Sequence, residues 1–296
     1  MTSHPRVILV LGMHRSGTSA VAGMLGDHGA VLPTDLMAPS PMNPKGFSES
    51  ESISTLDDEL MMSLGSSWHD WRPFAADPST PEVEAFTRRA VDLVHEVFGD
   101  EDLVVLKDPR ICRLVPFWHE VMRRAGREVL HLHVHRHPLE VAASLDRWAG
   151  YGTAYGELLW LRYVLDAEAA TRGTCRTFVS YDQVLANPAA AARRVGMALE
   201  LTWPRQDPAG ESFVDTQLKR SAARDAEAAS PWSMAALRVV EEWAAHGEIA
   251  SQHGHLDELR AALDAGSQGF GRVVDQGREF DIRVRQLTRQ REINES

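Results

Sequence analysis

An α/β fold, a three-layer sandwich around a mostly parallel sheet, is predicted by three features of the 296-residue sequence. Short apolar, β-branched runs alternate with stretches of helical spacing, which implies crossover connections and helices on both faces of a sheet. The runs are continuous rather than alternating, as buried parallel strands are. A glycine-bracketed turn joins the first run to the first helical stretch, in the manner of a phosphate-binding loop.

The elements follow in order. The first strand covers 6–12 and ends at Gly12; the helix after it covers 19–28. "LPTDLMAPSPMNPKGFSES" (32–50) is rich in Pro, Ser and Asn and reads as a long loop, followed by a helix over 49–64. "GSSWHDWRPFAADPSTP" (65–81), with Trp68 and Trp71, is a second loop leading to a helix over 81–98. "LVVLK" (103–107) is the second strand, 115–125 a helix, and "VLHLHVHR" (129–136) the third strand. Pro138 opens the next helix, 138–147, where its missing N–H costs nothing. A helix over 156–172 and the strand "RTFVSY" (176–181) complete the alternation. Beyond Pro204 the signals weaken to one helix in "SPWSMAALRVVEEWAAHGE" and a charged helical tail over 272–293. The expected organisation is one α/β domain over 1–250 and a helical tail, 251–296, packing on it or extending from it.

Composition narrows the function. The 44% hydrophobic content supplies an ordinary core. No apolar run approaches the roughly 20 residues of a membrane helix, and "MTSHPRVILVLG" has too short an apolar stretch for a secretory leader. A soluble cytoplasmic protein is expected. Cys112 and Cys175 have no metal or redox spacing. Acidic residues outnumber basic ones, 42 to 31, for a net charge of −11. That disfavours nucleic acid or an anionic membrane as partner and requires any anionic ligand to meet a local basic cluster.

In parallel sheets ligands bind beyond the carboxyl ends of the strands. Gly12, Lys107, Arg136 and Tyr181 stand at those ends and are expected to share one crevice. "GMHRSGTS" presents successive N–H groups and a helix N-terminus to a phosphate. Thr18 stands where a nucleoside triphosphatase carries lysine, and Arg15 supplies a cation earlier in the loop. The loop therefore suits one phosphoryl group with modest charge attached, without a metal.

"GMHRSGTS" resembles the 5′-phosphosulfate loop of sulfotransferases that use 3′-phosphoadenosine 5′-phosphosulfate (PAPS). "VHRHPLEVAASLDRW" resembles the family's 3′-phosphate motif, with Arg136 at a strand end and Ser144 two turns into a helix. "FVSYDQVLANP" resembles a third, weaker segment that would set Tyr181 near the adenine. The resemblance covers about residues 6 to 200. It implies a donor site of His14, Arg15, Ser16, Gly17, Thr18, Ser19, Arg136, Ser144 and Tyr181, with Lys219 and Arg220 of "FVDTQLKRS" as further contacts to the 3′-phosphate, and no metal.

Sulfuryl transfer to a hydroxyl needs a base, in-line placement and cations on the leaving phosphate. Arg15 and Lys107 are the cations. Many cytosolic members have a histidine base two residues after the lysine; here that residue is Pro109. "NPKGFSES" resembles the "N-x-K-G-[YF]-x-E" of bacterial and carbohydrate-directed members, which makes Glu49 the expected base, with Asp108 and His14 as alternatives. A plain helix start at Ser48 or Ser50 would also explain an acidic residue there. Phe47, Trp68, Trp71 and Asp108 are candidates to touch the acceptor. His131, His133 and His135 share a strand face, but no third spaced ligand accompanies an H-x-H pair. The expected function is a PAPS-dependent sulfotransferase acting on a small-molecule hydroxyl of a sugar, nucleoside or natural-product scaffold, as monomer or homodimer. An ATP/Mg-dependent kinase and an inactive nucleotide-binding regulator are the alternatives.

Overall fold

Four strands, β1 (Arg6–Leu11), β2 (Leu103–Leu106), β3 (Glu128–His135) and β4 (Arg176–Ser180), form one parallel sheet in the order β2-β1-β3-β4. In this computed structural model residues 4–39, 46–206, 214 and 229–295 are described. Register places Leu9 beside both Leu106 and His131, so β1, β2 and β3 run together and their carboxyl ends lie on the same side of the sheet.

Side-chain alternation splits the core into two layers, one on each face of the sheet. Ile8, Val10, Leu130, Leu132 and Val134 pack against α1 (Thr18–Asp27), α7 (Tyr181–Ala186) and α8 (Pro188–Ala198). Val7, Leu9, Leu11, Val104, Leu106 and Phe178 face the larger layer. That layer holds α2 (Glu51–Ser63), α3 (Pro81–Phe98), α4 (Ile111–Arg124), α5 (Pro138–Ala149), α6 (Thr153–Ala170) and α9 (Pro231–His246). The expected α/β sandwich is therefore the observed one.

Local chemistry sets the helix ends. Ser50, Thr80 and Asn187 cap α2, α3 and α8 by accepting from backbone N–H groups three residues on, and Pro follows at the start of α3 and α8. Ser180 and Gln183 form a capping box at α7. Several boundaries depart from the sequence expectation; α6, for one, starts at Thr153 rather than 156. α4 begins at Ile111 rather than 115, because a first turn precedes a kink at Leu114. α7 and α8 occupy 181–198, where only a motif was read. The tail is not a separate helix over 272–293 but the distal part of α10 (His253–Glu295), a single helix of 43 residues. Leu256 and Leu263 of α10 are buried in the larger core layer.

Candidate functional site

The site lies beyond the carboxyl ends of β1, β2 and β3 and is built from backbone first. Gly12 leaves β1 where an added Cβ would lie 2.4 Å from the Val134 carbonyl oxygen, so the strand end admits only glycine there. Gly17, at φ 89°, lies so close to Tyr181 that a Cβ would sit 2.1 Å from its ring. Arg15 is left-handed at φ 70°, and so is Ser48 at φ 53°. Non-glycine residues held in that region collect where function over-determines the backbone. α1 then starts without a side-chain cap, leaving its first N–H groups and dipole directed at the crevice.

Two segments far apart in sequence meet here. Arg15 Nε donates to Ser144 Oγ at 2.9 Å, linking residues 129 positions apart. Arg136 donates from Nη1 to the Arg15 carbonyl at 3.4 Å and from Nε to Glu140 at 2.7 Å, and its guanidinium lies 5.0 Å from the Tyr181 ring centre. Ser16 Oγ is buried and has no hydrogen-bond partner among the described residues. An uncapped helix start, an unmet buried hydroxyl, a close-approach glycine and two guanidiniums together fit a phosphorylated ligand. Lys219 and Arg220 lie outside the described residues.

A carboxylate and an amine stand on the other side of α1. Lys107, 2% exposed at the end of β2, ion-pairs with Glu49, itself 5% exposed. Lys107 Nζ also donates to Ser19 Oγ at 3.1 Å and to the Phe47 carbonyl at 3.0 Å, so its three donors are all engaged. Ser19 Oγ in turn donates to the same carbonyl at 2.8 Å. Glu49 is not part of a helix start: Ser50 is the cap, and Glu49 precedes it, turned toward Lys107. Burial pushes the Glu49 carboxyl above its usual range, with Lys107 pulling the other way.

The segment that carries Glu49 is tied at its base. Leu36 bridges Ser50, Met37 N donates to the Glu49 carbonyl at 2.8 Å, and Glu51 N donates to the Asp35 carbonyl at 3.0 Å. Asp35 Oδ2 accepts from Ser50 Oγ, Ser52 Oγ and Ser52 N.

The remaining candidates separate into two groups. His14, Trp68, Trp148 and Tyr151 form an aromatic wall beside the loop: the His14 ring centre is 4.9 Å from Trp68 and 5.8 Å from Trp148, and Trp68 is 5.6 Å from Tyr151. Burial, then the charges of Arg110, Lys107 and Arg15, hold His14 well below the usual histidine range. Asp108, by contrast, is buried and accepts two bonds from Arg110 Nη1, which also reaches Ser54, while Arg110 Nε and Nη2 grip Asp58. Trp71 belongs to the core, where its carbonyl accepts from Arg162 Nε at 2.7 Å. The Asp108 and Trp71 side chains are both buried. Phe47 contributes its carbonyl to Lys107. Sequence reading missed Trp148 and Tyr151, whose one local signal was their position a turn or two beyond Ser144.

Two of the three strand histidines have protein partners of their own. His131 contacts His119 Nε2 at 2.7 Å, and His133 bonds Thr171 Oγ1 at 2.9 Å while stacking on Phe178. His135 has neither ring nitrogen hydrogen-bonded among the described residues and lines a small cavity with Gly12, Tyr163 and Val240.

A family model described as the sulfotransferase family matches residues 5–205. The chain belongs to the sulfotransferase family. Solved structures similar to it are bacterial sulfotransferase domains. That of the Synechococcus PCC 7002 olefin synthase has 15% identity and a TM-score of 0.49, covering 82% of this chain and 96% of its own. That of the curacin biosynthetic pathway has 14% identity and a TM-score of 0.43, covering 71% and 79%. Sulfotransferase STF1 from Mycobacterium tuberculosis H37Rv has 17% identity and a TM-score of 0.40, covering 67% and 68%. No curated protein matches the chain.

Proposed function

We propose that this sulfotransferase uses PAPS as donor and a small-molecule hydroxyl as acceptor. The observation that carries the reading is the Arg15–Ser144 bond, which joins the loop suited to the 5′-phosphosulfate and the helix suited to the 3′-phosphate. When bound, the donor supplies a sulfuryl group on a phosphate that leaves with the former bridging oxygen.

The chain's own groups divide the remaining work. Arg15 and the N–H groups at the start of α1 offset negative charge on the departing phosphate, the electrostatic contribution on which group transfer mainly depends. Arg136, with Ser144, holds the second phosphate, and Tyr181 flanks the adenosine. Glu49 accepts the hydroxyl proton as the acceptor oxygen bonds to sulfur. Lys107 is a positioning residue as much as a cation: its contact keeps the Glu49 carboxylate aimed and favours its charged form. The wall of His14, Trp68, Trp148 and Tyr151 offers aromatic faces to a sugar ring or a planar scaffold. The net charge of −11 argues against a heavily anionic acceptor.

Thermal unfolding with 3′-phosphoadenosine 5′-phosphate, compared with ADP plus Mg²⁺, tests the donor. At about a hundred times its dissociation constant the bisphosphate is expected to add about 2.7 kcal/mol without metal. Stabilisation by ADP and Mg²⁺ alone overturns the reading in favour of a kinase. Glu49→Gln is expected to keep the bisphosphate shift and lose about 10²–10⁴ in turnover.

A further inference from the structure

The distal part of α10 carries an apolar seam that nothing in the described chain covers. Phe270, Val273 and Phe280 are each 67% exposed, Leu287 61% and Val284 43%. With Gly277 between them their spacing is three, four, three, four, three: the a/d pattern of a coiled coil. The same pattern extends back through Leu256, Leu259 and Leu263, of which Leu256 and Leu263 are buried against the body. The stripe begins on the body at Leu256 and Leu263 and is exposed from Phe270 on. Contacts in this stretch come from another side of the helix: Arg278 Nη1 donates to Tyr155 at 3.1 Å and Asp275 pairs with Arg72 at 3.5 Å.

We infer that this seam is the interface of a homodimer in which α10 pairs antiparallel with α10 of a second copy. Three observations select a second copy. Turned antiparallel about a two-fold axis between residues 278 and 279, the seam is complementary to itself. Phe270 faces Leu287 of the second copy, Val273 faces Val284, and Phe280 faces Gly277. An added Cβ at Gly277 meets nothing within 4 Å in this chain, so the glycine leaves a hole that the ring of the second copy fills. A parallel pairing would instead oppose the two glycines and crowd the two Phe280 rings.

Charge agrees. Residues 270–296 hold six arginines against five acidic residues, in a chain whose net charge is −11. Two copies can thus meet here without the repulsion that the rest of the surface imposes. Area sets the strength. At two-thirds exposure each phenylalanine presents on the order of 100–150 Å², so the seam is a patch on the order of 500 Å² per copy, at the upper end for a monomer. Two such patches bury about 1,000 Å², the lower bound for a specific interface, which corresponds to association in the micromolar range.

Sedimentation of the full chain, from about 1 to about 200 µM, spans that range. Mass is expected to rise from 32.8 kDa toward twice that value. Phe280→Glu is expected to remain monomeric with an unchanged melting temperature, because the side chain is two-thirds exposed in its own chain. Gly277→Leu fills the hole and is expected to weaken association at least tenfold while leaving the monomer folded. A wild-type chain that stays monomeric throughout overturns the inference and leaves the seam to a different partner. Dimerisation that survives Phe280→Glu overturns it too, and dimerisation strengthened by Gly277→Leu overturns the antiparallel register.

Discussion

Removing the charge of Glu49 separates what the Glu49–Lys107 pair does for stability from what it does for chemistry. The two side chains are 7% and 3% exposed, so Glu49→Gln leaves a buried ammonium without its counter-charge. Breaking a buried pair from one side costs about 3–5 kcal/mol. Ser19 Oγ and the Phe47 carbonyl continue to accept from Lys107 Nζ, which places the expected loss near the low end, about 3 kcal/mol. At about 2–4 °C per kcal/mol in a chain of this size, the midpoint falls by about 6–12 °C. Adding Lys107→Met removes the stranded charge and keeps most of the stem volume. The double variant is expected to return to within about 1 kcal/mol of wild type, giving a coupling of about 2 kcal/mol or more. Glu59→Gln is the control, since its pair with Arg89 is about half exposed on both sides and is worth less than about 1 kcal/mol. Urea unfolding of these proteins and of Lys107→Met alone, near neutral pH, supplies the numbers. If Glu49→Gln lies within about 0.5 kcal/mol of wild type, like an ordinary surface change, the pair is open to water and the reasoning fails.

Other consequences are as direct. Gly17→Ala forces a left-handed backbone, about 1–2 kcal/mol, and drives a methyl into the Tyr181 ring, about 1–3 kcal/mol more; calorimetry showing an unchanged midpoint would sink this account of the loop. Stability is expected to fall on acidification. Burial holds His131 at about 3 and His135 at about 4, with His14 and His133 lowered as well. The unfolded chain therefore takes up these protons first, and stability present above the ordinary histidine range is lost as pH falls through it. At about pH 5 His131 and His135 each remove about 2 kcal/mol; Asp57 and Glu49, raised by burial, act in the opposite sense. A urea midpoint no lower at about pH 5 than at about pH 7.5 contradicts this. Turnover is expected to decline on the acid side at a pH above the ordinary carboxylate range, because Glu49 must be ionised to take the proton, and Glu49→Gln should flatten that limb. Trp148→Ala should raise KM for the acceptor while leaving the bisphosphate shift intact, and an unchanged KM removes Trp148 from the acceptor wall.

The parts of this molecule that local chemistry determines were legible in the sequence. "VILVL", "LVVL" and "LHLHVH" can hardly be anything but buried strands, and once they are parallel the ends of β1, β2 and β3 must lie together. Glu49 was different: its spacing alone fits a helix start, and only the resemblance of "NPKGFSES" turned it toward the crevice. What escaped notice depends on tertiary packing. Trp148 and Tyr151 approach Trp68 because α5 and α6 pack across the second loop, and nothing near Trp71 in sequence marks it as core. The distal helix looked like a charged tail because its arginines and acids outnumber its apolar residues, which only a seven-residue count brings into line. The motif around Arg136 also hides a pair at i, i+4 spacing: Glu140, one turn on, holds the Arg136 Nε.

The tie at the base of the Glu49 segment has a consequence for how such a protein can change its substrate. The bonds through Leu36, Asp35, Ser50 and Ser52 close the segment like a drawstring, so these bonds and the Phe47 carbonyl on Lys107 fix Glu49 without help from the residues farther out. Doubling the length of a closed loop costs only about 0.6 kcal/mol. The tip can therefore be rewritten, lengthened or exchanged between relatives while the carboxylate remains opposite Lys107. Selection for new acceptors, in nature or in the laboratory, can work on the residues before Phe47 and leave the chemistry where it is.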